Sequence, residues 1–180
     1  ASFSAQKFYG LKGVGCLIKK ENIVLEPLIH GGKSTTVYRS GTPALGLIVS
    51  TAKALRLAYL DFDKKYDYVC FLNKYLKEEL LKINKVHINS NSYCVPHIVN
   101  ISIENIKPET MQHALEQDNI YVSTQTACSS NNPISKAVLA VTKNKNYASS
   151  SIRISLSYLT TKEEIDMFIK VLNNKIKELS

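Results

Sequence analysis

Apolar residues recur at helical spacing at Leu45, Ile48, Val49, Ala52, Leu55 and Tyr59, which predicts an amphipathic helix with one buried face. Thr42 followed by Pro43 reads as its start, because a hydroxyl can cap free N–H groups and proline suits the first helical position. A second helix is expected from about Asp61 to Lys82, with Phe62, Tyr66, Val69, Tyr75, Leu76 and Leu80 on its stripe. The polar run Asn89-Ser90-Asn91-Ser92 predicts a loop, and Val95 to Ile103 a strand in which Val99, Ile101 and Ile103 alternate with polar neighbours. A helix follows from Pro108-Glu109 through Gln117, then a short strand from Ile120 to Ser123 and a helix near Ile134 to Val141. In Ser151-Ile152-Arg153-Ile154-Ser155-Leu156, alternation sets Ile152, Ile154 and Leu156 on one face and Arg153 on the other. Thr161-x-x-Glu164 has the form of a capping box, opening a last helix that buries Ile165, Phe168, Ile169, Leu172 and Ile176.

Ahead of these elements the chain is glycine-rich. Gly10, Gly13 and Gly15 permit unusual backbone angles and close approach, and Cys16-Leu17-Ile18 reads as a short buried strand. The spacing G-x-x-G-x-G differs from the dinucleotide-binding fingerprint, so by itself it indicates a turn between strands. Ala1 to Gly10 carries no helix or strand pattern of its own and reads as a chain entered in the middle of a domain. Beyond Asn84 the texture changes, and a smaller αβ unit begins there or in the preceding helix. The class is α/β.

The 180 residues are 44% hydrophobic and 21% charged, within the globular range. A formal net charge of +8 raises the question of nucleic acid, but Lys74, Lys77, Lys82 and Lys85 are spread along a helical segment with no basic block or interleaved aromatic motif. Solvated helix faces account for them. The longest apolar stretch, Leu45 to Leu60, is broken by Lys53 and Arg56, so no membrane span is expected. Cys16, Cys70, Cys94 and Cys128 form no C-x-x-C pair and no regular spacing, which argues against a zinc site or a disulfide framework and for a reducing compartment.

Two positions stand out chemically. Lys7 lies close to Ser4 and the glycines, a setting that suits a Schiff-base amine with a planar ring against the backbone, although a surface lysine is the ordinary outcome on local sequence alone. Cys128 falls in the polar loop Thr124-Gln125-Thr126-Ala127-Cys128-Ser129-Ser130. Cys16, Cys70 and Cys94 have no comparable setting and read as structural.

Four segments in order carry a resemblance to a known family. Ser4-Ala5-Gln6-Lys7-Phe8-Tyr9-Gly10-Leu11-Lys12-Gly13-Val14-Gly15 is similar to the S-x-H-K-x-x-G-P-K-G-x-G segment of the class V aminotransferase and cysteine desulfurase family. His30-Gly31-Gly32 with Arg39-Ser40-Gly41-Thr42 resembles its H-G-G and R-S-G-T motifs, Thr126 to Ser130 its S-A-C-[ST]-S loop, and Ser151 to Leu156 its S-I-R-x-S-L strand. The resemblance implies the C-terminal part of a fold type I pyridoxal-phosphate enzyme: residues 1–64 as the end of the large cofactor domain, residues 65–180 as the small αβ domain.

The same resemblance implies site residues. Lys7 would bind pyridoxal 5'-phosphate covalently and move the substrate's α-proton. Ser4 and Gln6 would contact the cofactor phosphate, Thr42 would reach the phosphate of a partner subunit in a homodimer, and Arg153 would hold the substrate carboxylate. Cys128 would take sulfur from L-cysteine as a persulfide, leaving L-alanine, and pass it in the cytoplasm to an acceptor or scaffold protein for iron–sulfur clusters or tRNA thiolation. Gln6 stands where the family has histidine, Leu11 where it has proline, Ser34-Thr35 where it has Gln-Glu, and Gln125 where it has glycine. The family's first half, with its ring-stacking and pyridine-nitrogen residues, has no counterpart upstream of Lys7, so the chain is expected to be inactive alone. Two rival readings are a related lyase or aminotransferase that does not need Cys128, and a non-catalytic module that binds a desulfurase or scaffold.

Overall fold

The computed structural model describes residues 1–32, 36–124 and 134–179. The chain divides into two compact units, Ala1–Phe62 and Asp63–Ser180.

In the first unit, β1 (Ser2–Ser4) pairs antiparallel with β2 (Gly15–Leu17), Phe3 lying opposite Cys16. A 3-10 turn, Ala5–Phe8, leaves β1, and the helix α1 (Leu45–Tyr59) packs against that turn. Several expectations fail here, the first being that Ala1 to Gly10 has no strand or helix, since β1 and the 3-10 turn lie within it. The strand around Cys16 forms but is not buried, with Leu17 64% exposed. The stripe on α1 is not buried either, since Leu45, Ile48, Val49 and Tyr59 are all exposed and Thr51 is the helix's buried residue. Periodicity reports that a helix has an apolar side, not that a second layer covers it. Nor do Thr42 and Pro43 start the helix: its N-cap is Ala44, without a side-chain cap.

The second unit is a three-stranded antiparallel sheet in the order β3 (Val86–Ile88), β4 (Ile98–Ile103), β5 (Ser151–Ser155). Register sets Val99 opposite Ile154 and Ile101 opposite Ile152, so one face of the sheet is continuous hydrocarbon. Three helices bury their stripes in the same core. From α2 (Phe62–Leu80) come Val69, Leu72, Leu76 and Leu80; from α3 (Pro108–Glu116), Met111 and Leu115; from α6 (Lys162–Glu178), Ile165, Phe168, Leu172 and Ile176. The expected stripe on α2 needs correction at its start, where Phe62 and Tyr66 are exposed, and at Leu72, which is fully buried. The capping box at Thr161 and Glu164 is present as expected. Lys175 on α6 pairs with Asp118 and Glu178, and Asp118 first among them holds its amine above the ordinary 10.5.

The opposite face of the sheet is polar. Its pairs are Asn100 with Arg153, Ser102 with Ser151, and His87 with Ser102. Two short helices, α4 (Lys136–Thr142) and α5 (Lys145–Ser149), come after residue 134, and α5 packs against β4. Neither β3 nor α5 was expected from the sequence, and the strand foreseen at Ile120–Ser123 reduces to a single bridge from Ser123 to Arg153.

Candidate functional site

The turn between β1 and β2 gathers three of the candidate residues. Ser4 ends β1 in extended geometry, and Gln6 and Lys7 sit in the turn itself. Tyr9 closes the turn in the left-handed region at φ 67°, its N–H returning to the Ala5 carbonyl, and Gly10 N–H donates to the same carbonyl at 2.8 Å. A Cβ on Gly10 would lie 2.8 Å from that of Ala5, so the chain can fold back this tightly only with glycine there.

The exposed ends of this turn are polar and uncommitted. The Ser4 hydroxyl, half-buried, makes no capping bond to the turn. Lys7 is exposed and forms no ion pair among the described residues. A hydroxyl, a side-chain amide and an ammonium projecting from four consecutive residues match the needs of a phosphate-bearing aldehyde: neutral donors and charge for the anion, and an amine for the carbonyl. The residues present therefore fit pyridoxal phosphate. Thr42 is exposed on the segment that leads into α1. Beside it, Gly41 has φ +112°, and a Cβ there would meet the Arg39 guanidinium at 2.6 Å.

In the second unit, Arg153 is placed by the β5 alternation on the polar face. Its N–H donates to the Ser123 carbonyl at 2.6 Å, the Ser123 N–H returns to the Arg153 carbonyl at 3.1 Å, and Nη2 donates to Ser123 Oγ at 3.2 Å. Nε is buried and has no hydrogen-bond partner. No carboxylate pairs with this guanidinium among the described residues. The guanidinium is thus held by neutral groups alone, with one buried donor unpaired.

Arg153 lines a cavity of about 340 Å³, together with Asn89, Asn100, Cys94 and Thr124 among polar or sulfur-bearing residues and with Val138 and its neighbours on α4. Asn89 Nδ2 donates to Asn100 Oδ1 and to Ser102 Oγ, each at 2.7 Å, while its own Oδ1 is buried without a partner. Ser102 in turn donates to the Tyr147 carbonyl at 2.7 Å, which ties the polar face to α5. Cys94, read from the sequence as structural, is exposed and lines this cavity. Asn89, Asn100 and Ser123 were not singled out from the sequence; the alternation of Val86-His87-Ile88, which builds β3 and brings Asn89 alongside Asn100, was the available signal.

The structure thus brings Ser4, Gln6 and Lys7 together in the first unit and sets Arg153 over a cavity in the second. Cys128, together with Gln125 and Ser34-Thr35, lies outside the described residues. No group of His, Cys, Asp and Glu able to hold a metal ion occurs among the described residues, and no helix there is long and apolar enough to cross a membrane.

Comparison with known proteins agrees with the four motifs. Residues 1–168 match the family described as Aminotransferase class-V. Over 182 residues the chain is 35% identical to "NifS/IcsS protein homolog" of Lactobacillus delbrueckii subsp. bulgaricus, covering 99% of this chain and 47% of that protein. It is 37% identical to "Cysteine desulfurase IscS" of Buchnera aphidicola subsp. Baizongia pistaciae, covering 99% of this chain and 45% of the relative. Among solved structures, a "NIFS-LIKE PROTEIN" superposes with a TM-score of 0.86 at 32% identity, over 99% of this chain and 46% of the other. A NifS-like protein from Rickettsia africae gives 0.84 at 28% identity, over 98% and 47%. The chain spans about half the length of the relatives it matches. With a family match across most of its residues and the fold shared with NifS-like structures, the chain belongs to the aminotransferase class-V family.

Proposed function

We propose that this chain carries the lysine, the carboxylate anchor and the sulfur-accepting thiol of a pyridoxal-phosphate-dependent cysteine desulfurase. The observation that carries the reading is the Arg153 guanidinium, held by Ser123, without a carboxylate among the described residues, on a residue that lines a cavity. Relatives bearing the name cysteine desulfurase, matched along 99% of the chain, support the choice of reaction within the family.

The division of labour follows from residue chemistry. Ser4 and Gln6 donate to the cofactor phosphate, and Gln6 does so without the charge a histidine could add. Lys7 would hold the cofactor covalently, and its amine would carry the substrate's α-proton. Arg153 binds the substrate carboxylate through paired N–H donors, which fixes the orientation of the amino acid. When bound, pyridoxal phosphate supplies an electron sink that labilises bonds at the substrate's α and β carbons. The Cys128 thiolate attacks the substrate sulfur: a sulfur–sulfur bond forms, the carbon–sulfur bond breaks, and its electron pair remains on carbon to be protonated. Cysteine becomes alanine and Cys128 becomes a persulfide, with no external oxidant or reductant required.

The same reading extends to assembly. Thr42, exposed on the approach to α1, contacts the phosphate of a second subunit in a homodimer, and the exposed apolar stripe of α1 supports its burial against further polypeptide. The persulfide is passed in the cytoplasm to an acceptor or scaffold protein that feeds iron–sulfur cluster assembly or tRNA thiolation. Residues 1–64 then complete a large cofactor domain, and residues 65–180 form the small domain.

The test is chemical mapping of the cofactor, with the chain taken alone and joined to the part of the Buchnera relative that it does not match. After borohydride reduction in the presence of pyridoxal phosphate, digestion should find the pyridoxyl group on Lys7 in the joined protein. Labelling spread over many exposed lysines would refute the assignment of Lys7.

A further inference from the structure

A row of polar residues crosses the sheet at Arg153. Asn100 on β4 is its register partner on one side, and Ser123, through an isolated bridge, is its partner on the other. Residues directly opposite one another in an antiparallel pair present their side chains to the same face, so both neighbours are placed to meet the guanidinium. Their side chains are committed differently. Asn100 Oδ1 accepts from Asn89 Nδ2 at 2.7 Å, whereas Ser123 Oγ accepts from Arg153 Nη2 at 3.2 Å. Two backbone hydrogen bonds, at 2.6 and 3.1 Å, already hold Ser123 beside Arg153, so little freedom is lost when its hydroxyl takes up that bond.

The bond to Ser123 also selects which edge of the guanidinium is offered. A carboxylate can pair with a guanidinium side-on, through Nε and Nη2, or end-on, through Nη1 and Nη2. Nε is buried and Nη2 is engaged by Ser123, so the side-on edge is closed. What remains is the end, Nη1 with the second N–H of Nη2, on a residue that lines the 340 Å³ cavity. We propose that Ser123 is a positioning residue for the substrate carboxylate: its hydroxyl holds the Arg153 guanidinium in the end-on orientation. The inference rests on the reading of Arg153 as a carboxylate anchor. It adds a residue that acts through Arg153 without touching substrate. Loss of the hydroxyl leaves the positive charge in place but frees the guanidinium to turn, so the amino acid is held less well while the steps after binding are unaltered.

The chain joined to the unmatched part of the Buchnera relative serves for both measurements. With pyridoxal phosphate and L-cysteine, Ser123→Ala is expected to raise KM about fivefold, the size of effect that one hydrogen bond gives, with kcat and melting temperature near those of the parent. Ser123→Thr, which keeps the hydroxyl, should restore the parent KM. In an Arg153→Gln background, Ser123→Ala should add no further rise. A KM unchanged in Ser123→Ala while Arg153→Gln raises it, or a rise that persists in the Arg153→Gln background, would overturn the proposal alone. An unchanged KM in Arg153→Gln would refute the anchor reading itself, and this proposal with it. A second readout needs neither cofactor nor turnover. In the nitrogen NMR spectrum of the arginine side chains, with Arg153 assigned by its loss in Arg153→Gln, separate Nη1 and Nη2 signals are expected in the parent and one averaged signal in Ser123→Ala. Averaged signals in the parent, or separate ones in Ser123→Ala, overturn the proposal whatever the kinetics.

Discussion

Arg153 and Asn100 are register partners on the polar face of the sheet, and both line the cavity bordered by Asn89. The hydrocarbon pairs on either side, Val99 with Ile154 and Ile101 with Ile152, bury the opposite face and thereby lock the register. A slip of one residue would carry Arg153 into the core. Arg153 is therefore as fixed as the core that backs it, and its side chain can be changed without unfolding the sheet.

Arg153→Lys keeps a positive charge but loses the fork that presents paired donors. The expected result is a rise of about 10- to 100-fold in KM for cysteine, with thermal stability near that of the parent, because one to two charge-assisted bonds to substrate are lost. Steady-state kinetics of the chain joined to the unmatched part of the Buchnera relative, beside a melting curve, checks it. An unchanged KM would remove Arg153 from substrate binding.

Gly10 is held against Ala5, where an added Cβ would come to 2.8 Å from the alanine Cβ. Gly10→Ala should therefore open the turn that carries Lys7 and cost about 1–3 kcal/mol of stability in the first unit. Pyridoxyl incorporation at Lys7 should fall in the same variant. Ser4→Ala, which leaves the turn closed, should weaken cofactor retention alone.

Thr161 caps α6 reciprocally with Glu164, at 3.2 Å from the Glu164 N–H and with the Glu164 carboxylate 2.8 Å from its own N–H. Thr161→Ala should lower stability by about 1 kcal/mol, read in chemical denaturation, with no change at Lys7 or Arg153. A loss of activity out of proportion to that change would mean α6 does more than hold the core.

Lys175 offers a pH test. Asp118 and then Glu178 raise its pKa above 10.5, so the folded state holds the proton more tightly than the unfolded one. The resulting stabilisation is complete below 10.5 and is lost as pH rises through the raised folded value. Melting temperatures of the parent and Lys175→Met should differ by a constant amount from about pH 7 to 10 and converge above that range. Divergence on going alkaline would contradict the sign.

What the sequence disclosed follows from which signals are local. The β5 alternation and the Thr161–Glu164 box depend on neighbours within one element, and both stand in the structure as read. The exposure of α1 and of Leu17 depends on what lies over them, which no periodicity encodes. Ala44 rather than Thr42 caps α1, because Leu45 N–H turns back to the Pro43 carbonyl at 2.9 Å before the helix begins. The four motifs brought Ser4, Gln6, Lys7, Thr42 and Arg153 forward, whereas Asn89, Asn100 and Cys94 enter the cavity only through the pairing of β3, β4 and β5 and the loops between them. Such residues become visible once strands are paired.

The central claim is sulfur transfer to Cys128, and the most direct measurement is peptide mass at that residue after one turnover. The chain, joined to the unmatched part of the Buchnera relative and loaded with pyridoxal phosphate, is mixed with L-cysteine, alkylated and digested, with alanine measured in the same sample. The account expects one added sulfur atom on the Cys128 peptide in step with alanine formed, and neither in Cys128→Ala. Alanine or another product formed at full rate in Cys128→Ala would contradict it and leave a family member of different chemistry.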